Sequence, residues 1–243
     1  MRKYTILLAV GLALTAFGLS GEESVPKPVC ELKLDGTVEN TGSGKFTAAV
    51  RGTPRWDEGR EQGKALFLDN DVSNPKKRRG FTTLTLRGAA GRFDPSKPFT
   101  VSMWIMPAPE TKPRSCTLFS TFSGDRGKGI RLLLFQGSYF VQYGDGKKSG
   151  YIKAPRNKFP LREGTWNHIA AAYDGDTCRI YLNGIPCNEL KIKLQPASAA
   201  EVSVGSFMGG YANPFRGGIS QVRIYQQALT GLQILCEARD GLK

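Results

Sequence analysis

The sequence predicts an all-β fold of the sandwich or jelly-roll type, with one short helix near the C-terminus. Three observations predict it. Apolar residues alternate at period two through most of the chain. The alternating runs are short and are separated by Gly, Pro, Asn and Asp, with 29 Gly and 14 Pro among 243 residues. No segment repeats at a period of about 20–50 residues, which disfavours solenoids and propellers. At 40% apolar and 23% charged residues the chain is too apolar for disorder, and it lacks the long apolar runs of a multi-span membrane protein.

The N-terminus carries Arg2 and Lys3 ahead of an uncharged stretch from Thr5 to Leu19, the pattern of a secretory leader. Gly18, Ser20 and Gly21 offer cleavage positions, so residues 1–21 are expected to be a signal peptide and residues 22–243 one domain; an uncleaved anchor helix is the alternative. The chain is thereby expected to be secreted, periplasmic or on the cell surface. Export leads to an oxidising compartment, where disulfides persist. Cys30, Cys116, Cys178, Cys187 and Cys236 all follow the leader, and five is odd, so at least one thiol lacks a partner within the chain.

Lys64 to Asp69 and Phe81 to Leu86 are the first clear strands. In the next, Phe99, Val101, Met103 and Ile105 alternate with Thr100, Ser102, Trp104 and Met106, which puts Trp104 opposite the apolar stripe. Cys116 to Phe122, Ile130 to Gln136 and Ser138 to Tyr143 follow. Thr177 to Leu182, then Asn183-Gly184, then Ile185 to Cys187 is a hairpin, because Asn-Gly accepts the positive φ angles of a two-residue turn. That turn sets Cys178 diagonal to Cys187, too far for an unstrained bridge; a four-residue loop would set them opposite. Cys30 and Cys236 lie near the two ends of the domain and meet if the terminal strands adjoin. Ile219 and Val222 break parity, so burying both requires a bulge near Ser220. Helical periodicity appears around Leu229 to Ala238.

Several of these segments resemble laminin G-like, concanavalin A-like domains. Gly63-Lys64-Ala65-Leu66 is similar to their early G-x-A-L, and Pro98-Phe99-Thr100-Val101-Ser102-Met103-Trp104-Ile105 to their p-F-T-h-S-h-W-h strand. Trp166-Asn167-His168 through Tyr173-Asp174-Gly175 resembles W-x-H-h-A-x-x-Y-D-G, and Arg179-Ile180-Tyr181-Leu182-Asn183-Gly184 the following hairpin. Phe215 through Leu229 resembles the closing F-x-G-x-I-D-x-V-R-I-Y-x-x-A-L. The resemblance implies a jelly roll of two antiparallel sheets, and binding of sugar or protein more often than catalysis. It also implies that His168, Trp166 and Tyr181 pack within sheets. Some members hold a structural calcium, but Ser220-Gln221 stand where the family commonly carries Asp; Asp35, Asp69 and Asp71 remain as candidate oxygen ligands for a structural calcium, and no metal or other cofactor is assigned.

No catalytic residue is assigned either. A glycosidase needs two carboxylates across a sugar. The E-x-D-x-E strand of laminarinase-like enzymes is absent, as are the Q-x-H and Y-x-K-x-G-x-Y strings of alginate-lyase-like sites and G-x-S-x-G. Binding is better supplied, because sugars stack on aromatic rings and anions seek Arg and Lys. Trp104, Tyr139, Tyr143 and Tyr151 are the aromatic candidates, with Lys147 and Lys148 in the turn between them. Lys76, Lys77, Arg78 and Arg79 form the densest basic run in a chain of net charge +13. Nucleic acid is not the expected partner, since no nucleic-acid-binding motif is present. The expected function is a non-catalytic, lectin-like carbohydrate-binding protein with a preference for anionic polysaccharide. The alternatives are a protein-binding or structural surface module and, less favoured, a polysaccharide-cleaving enzyme.

Overall fold

The computed structural model of the chain describes residues 24–60, 63–73, 79–88, 93–109, 115–124 and 126–239. The expected leader and Lys76, Lys77 and Arg78 lie outside the described residues. Among the described residues, no helix is long and apolar enough to cross a membrane.

Two antiparallel sheets face each other. One has the order β13 (Ile185–Lys191), β12 (Thr177–Leu182), β11 (Asn167–Tyr173), β6 (Phe99–Pro107), β15 (Gly217–Tyr225), β4 (Lys64–Leu68) and β3 (Arg55–Glu58), with β1 (Cys30–Leu32) also paired to β15. The other runs β10 (Ser149–Lys153), β9 (Ser138–Asp145), β8 (Lys128–Phe135), β7 (Cys116–Ser120), β14 (Val202–Val204), β5 (Thr83–Arg87) and β2 (Thr47–Arg51). The helix α1 spans Gly231–Arg239.

The core between the sheets is built from the alternating apolar positions, among them Val101, Met103 and Ile105 of β6, Ile130, Leu132 and Leu134 of β8, and Ile169 and Ala171 of β11. The Tyr139 hydroxyl crosses this layer and donates to the carbonyl of Ala170 at 3.2 Å. A buried phenol that finds an acceptor avoids the cost of an unmet donor, so Tyr139 joins the two sheets.

Two bulges set the local register. Ile219 and Val222 are both buried, and the pairing of β15 with β6 shifts between Ser220 and Arg223, where Gln221 has φ +48°. This is the bulge that parity requires. It also divides one edge of β15: Gly217 to Ile219 pair with β4, and Val222 to Ile224 pair with β1. The Asn183-Gly184 turn has φ +52° and +80°, the left-handed values of a two-residue hairpin turn. Beyond it the β12–β13 register shifts between Ile180 and Tyr181.

That shift decides the cysteine question. Cys178 lies opposite Leu190, not Cys187, so the hairpin cannot bridge them. Cys30 is in the inner core, whereas Cys236 rides on α1 outside the sheet that contains Cys30. Cys30, Cys178, Cys187 and Cys236 carry free thiols, so neither of the two conditional pairings forms in this structure. Burial pushes the Cys30 and Cys178 thiols up to about 12 and Cys187 up to about 11, which keeps them protonated and poorly nucleophilic.

The outer face of the β6–β11–β15 sheet is covered. Thr230 opens α1 with a reciprocal cap: its hydroxyl accepts from the Gln233 amide, and the Gln233 side chain accepts from the Thr230 amide. Leu229 and Ile234 then pack on Ala170, Ala172, Tyr181 and Tyr225. Glu237 of α1 accepts from the Ser102 hydroxyl and from Arg223, which also pairs with Glu31.

Candidate functional site

The outer face of the other sheet carries a groove over β8, β9 and β10. The Gln136-Gly137 turn, with φ +51° and +67°, joins β8 to β9 and fixes their register. Arg131 then lies beside Gln142, and Gln142 beside Tyr151; one step along, Leu133 lies beside Phe140, and Phe140 beside Lys153. Because side chains alternate across a strand, these two rows share the face opposite Ile130, Leu132, Tyr139 and Val141.

The rows floor a groove of about 460 Å³. Phe140 sits at its centre, edge-on to Phe135 at 6.1 Å and to Tyr151 at 6.2 Å between centroids. Phe135 is 39% exposed and Tyr151 55% exposed, so apolar ring surface faces solvent. The Lys153 ammonium is 5.5 Å from the Phe140 centroid. Arg131 is buried at the edge of the groove: its Nε donates to Thr117 Oγ1 at 2.8 Å, Nη1 reaches Gln142 Oε1 at 3.5 Å, and its guanidinium lies 4.4 Å from the Phe207 centroid. Neither Asp nor Glu lines the groove among the described residues. The arrangement offers the exposed rings of Phe135 and Tyr151 for apolar contact and the exposed Lys153 ammonium for anionic oxygens, over a floor of buried Arg131 and Gln142.

Of the described residues singled out from the sequence, only Tyr151 lines this groove. Tyr139 is completely buried between the sheets, and Tyr143 is half-buried against the same core, lying across Gly150. The tyrosine face is therefore the inner face, and no sugar platform forms there. Lys147 and Lys148 are exposed at the far tip of the β9–β10 hairpin, where their amides donate to Asp145. Those two amides hold the Asp145 carboxyl below its usual range. Arg79 is exposed, with its amide bonded to the Tyr211 carbonyl and its guanidinium 5.6 Å from the Tyr211 centroid.

Trp104 is only 5% exposed, so it cannot serve as a sugar platform either. It lies on the outer face of its sheet, between the Arg60 guanidinium, 3.9 Å from its ring centroid, and the His168 ring at 5.3 Å. Burial, reinforced by the charges of Arg223 and Arg60, pushes His168 down to about 3 and keeps it neutral. His168 is a packed strand residue.

Phe135, Phe140, Arg131, Gln142 and Lys153 are the groove residues that reading for prominent tyrosines misses. The signal lies in parity and the Gln-Gly turn: pairing Phe135 with Ser138 aligns Arg131 with Gln142 and Leu133 with Phe140. A face bearing Arg and Gln belongs outside.

The calcium that the resemblance brings does not fit its expected position. Around Ser220-Gln221, the described lining residues set Lys33, Arg60 and Lys64 against one carboxylate, Asp35. Gln221 accepts from Arg60, and Asp35 from the Lys64 amide. A hard cation needs six to eight oxygens, several of them anionic, and three positive side chains oppose that. Among the described residues, no group of three or more His, Cys, Asp or Glu could hold a metal ion.

Comparison with solved structures finds the same fold in proteins of low identity. The binding domain of Paraclostridial Mosquitocidal Protein 1 is similar over 88% of this chain and 52% of its own, with 17% identity and a TM-score of 0.70. Domain 4 of AbnA, a GH43 extracellular arabinanase from Geobacillus stearothermophilus solved with arabinotriose, is similar over 87% of this chain and 98% of its own, with 19% identity and a TM-score of 0.63. The binding domain of botulinum neurotoxin DC, solved with rat synaptotagmin II, is similar over 88% and 52%, with 11% identity and a TM-score of 0.67. The chain thus spans about half the length of the two toxin binding domains and nearly all of the arabinanase domain. Comparison with curated proteins finds no match. A family profile described as the concanavalin A-like lectin/glucanases superfamily matches residues 80–235. With the two-sheet jelly roll and the ordered motifs from Phe99 to Leu229, that match places the chain in one family: it belongs to the concanavalin A-like lectin/glucanase superfamily.

Proposed function

We propose that the protein is a secreted or surface-located, non-catalytic carbohydrate-binding module with a preference for anionic polysaccharide. The observation that carries this reading is the groove in which Phe140, Phe135 and Tyr151 stand beside Arg131, Gln142 and Lys153, with no carboxylate among the described lining residues. Pyranose and furanose rings present C–H faces that pack on aromatic rings, and their hydroxyls bond to amides and guanidinium groups. Uronate or sulfate groups add charge-assisted bonds to the exposed Lys153. The described lining holds no carboxylate pair of the kind glycoside hydrolysis uses, which supports binding as the groove's role. The arabinotriose complex of arabinanase domain 4 supports an oligosaccharide as the ligand class on this fold.

The test is calorimetric titration with polygalacturonate and with neutral arabinan, at low and high salt. Polygalacturonate is expected to bind more tightly at low salt and to lose that advantage at high salt. Tyr151→Ala is expected to weaken both glycans by about tenfold, the loss of one stacking contact. Lys153→Ala is expected to remove most of the charged preference. Absence of glycan binding, or binding unaffected by Tyr151→Ala, overturns the assignment, and capture of a specific protein instead supports the protein-binding alternative.

A further inference from the structure

A second concavity lies on the opposite sheet. The loop between β10 and β11, the β12–β13 turn and the C-terminal half of α1 enclose a cleft of about 800 Å³. Its walls are preformed. The Asn167 side chain accepts from the Arg162 amide and donates to the carbonyls of Arg162 and Thr165, which staples the loop. The Asn183 side chain accepts from the His168 amide, and the His168 carbonyl accepts from the Asn183 amide, which fixes the turn. The third wall is α1, seated against Gly184 through Leu235 and Ala238.

The lining divides into two chemistries. Trp166, Phe159, Leu182, Ile185 and Leu235 supply apolar surface, and Ile185 is 55% exposed. Lys158, Arg162 and Arg239 supply three exposed cations. No Asp or Glu lines the cleft, and none of the three cations joins a salt bridge among the described residues. Deeper in the lining, Trp104 keeps an indole N–H that finds no acceptor. A buried donor without an acceptor is costly and uncommon, so this side of the cleft is short of an oxygen that the described chain does not provide. Concave apolar sites of this volume with a few converging charges suit small ligands better than polymers.

We propose that this cleft is a second binding site, for an amphipathic anion in which one carboxylate, sulfate or phosphate head is joined to an acyl or aromatic body. The body covers Trp166, Ile185 and Leu235, and the head is met by Lys158, Arg162 and Arg239. Neither half alone satisfies the lining: a small anion leaves the apolar wall wet, and a neutral apolar molecule leaves the cations without a counter-charge. The glycan groove on the other sheet shares no described residue with this cleft, so the two sites stand or fall separately.

The probes are decanoate below its micellar range, decanol and acetate, added to the whole protein and read by tryptophan fluorescence and calorimetry. Trp104 and Trp166 line the cleft, whereas Trp56 packs against the core. Decanoate is expected to bind saturably and change the tryptophan emission, with decanol and acetate at least about tenfold weaker. Arg162→Ala with Arg239→Ala is expected to weaken decanoate by about tenfold, the loss of charge-assisted contacts, and Ile185→Ser by several-fold. Thermal unfolding checks that these exposed-site variants remain folded. Tyr151→Ala and Lys153→Ala are expected to leave decanoate binding unchanged, which separates this site from the groove. Absence of saturable decanoate binding, equal affinity for decanol, or unchanged affinity in the Arg162 and Arg239 variant overturns the proposal.

Discussion

Gly184 meets two separate demands. Its φ is +80°, and a Cβ there would approach Leu235 Cδ1 at 2.8 Å and Ala238 Cβ at 3.1 Å. A left-handed backbone disfavours any L side chain, and the helix leaves little room for one. Gly184→Ala is expected to destabilise the protein by about 1–3 kcal/mol, combining backbone strain with overpacking, as measured by urea unfolding. Only the first demand is legible in the sequence: Asn-Gly announces the turn, but nothing local says that α1 will lie on it. The groove shows the same limit. Tyr139, Phe140 and Tyr143 read alike as strand aromatics, and period two separates Phe140 from the others without saying which face is outward. Arg131, aligned with Gln142 by the turn, settles the direction, and that information comes from a neighbouring strand.

At the scale of an element, α1 is held by charge as well as by apolar contact. Glu237 is 2% exposed and accepts from both Ser102 and Arg223. Arg223 is itself mostly buried and lies between Glu31 and Glu237. Removing one partner of a buried pair leaves the other charge stranded. Glu237→Ala is therefore expected to cost about 3–5 kcal/mol, with a smaller loss for Glu237→Gln, which keeps an acceptor for Ser102; both are measured by chemical unfolding followed through helix ellipticity. The existence of α1 is plain from its periodicity. Its docking is not, because Glu31, Ser102 and Arg223 are far apart in the chain and only the topology brings them together. The bulge in β15 is the opposite case: the broken parity of Ile219 and Val222 writes it into the local sequence. The bulge at Ile180 and Tyr181 leaves no such mark, and it shifts Cys178 away from Cys187.

At the scale of the whole molecule, the single histidine gives stability a distinct pH dependence. The unfolded chain protonates His168 near the ordinary 6.5, whereas the folded chain resists until about 3. Between those values the unfolded state binds the additional proton, so acid favours unfolding. The contribution is complete above about pH 6.5 and is lost as pH falls toward 3. Asp174, held down to about 2 by the Thr177 amide and then by Arg179, acts in the same direction but only below its ordinary 3.8. Stability is expected to fall by on the order of 1–2 kcal/mol between pH 6.5 and about pH 5. His168→Phe is expected to flatten that slope, as read from urea midpoints across the range. The sandwich as a whole was legible because period two and turn residues act locally. The sites were less so, because each assembles side chains from several strands or loops. One further consequence concerns the free edge of the β6–β11–β15 sheet. Strand β13 carries Pro186, a shifted register, and the charges of Glu189 and Lys191. An edge so interrupted presents no straight row of amides and carbonyls for a second copy to extend, which disfavours edge-to-edge polymerisation through β13.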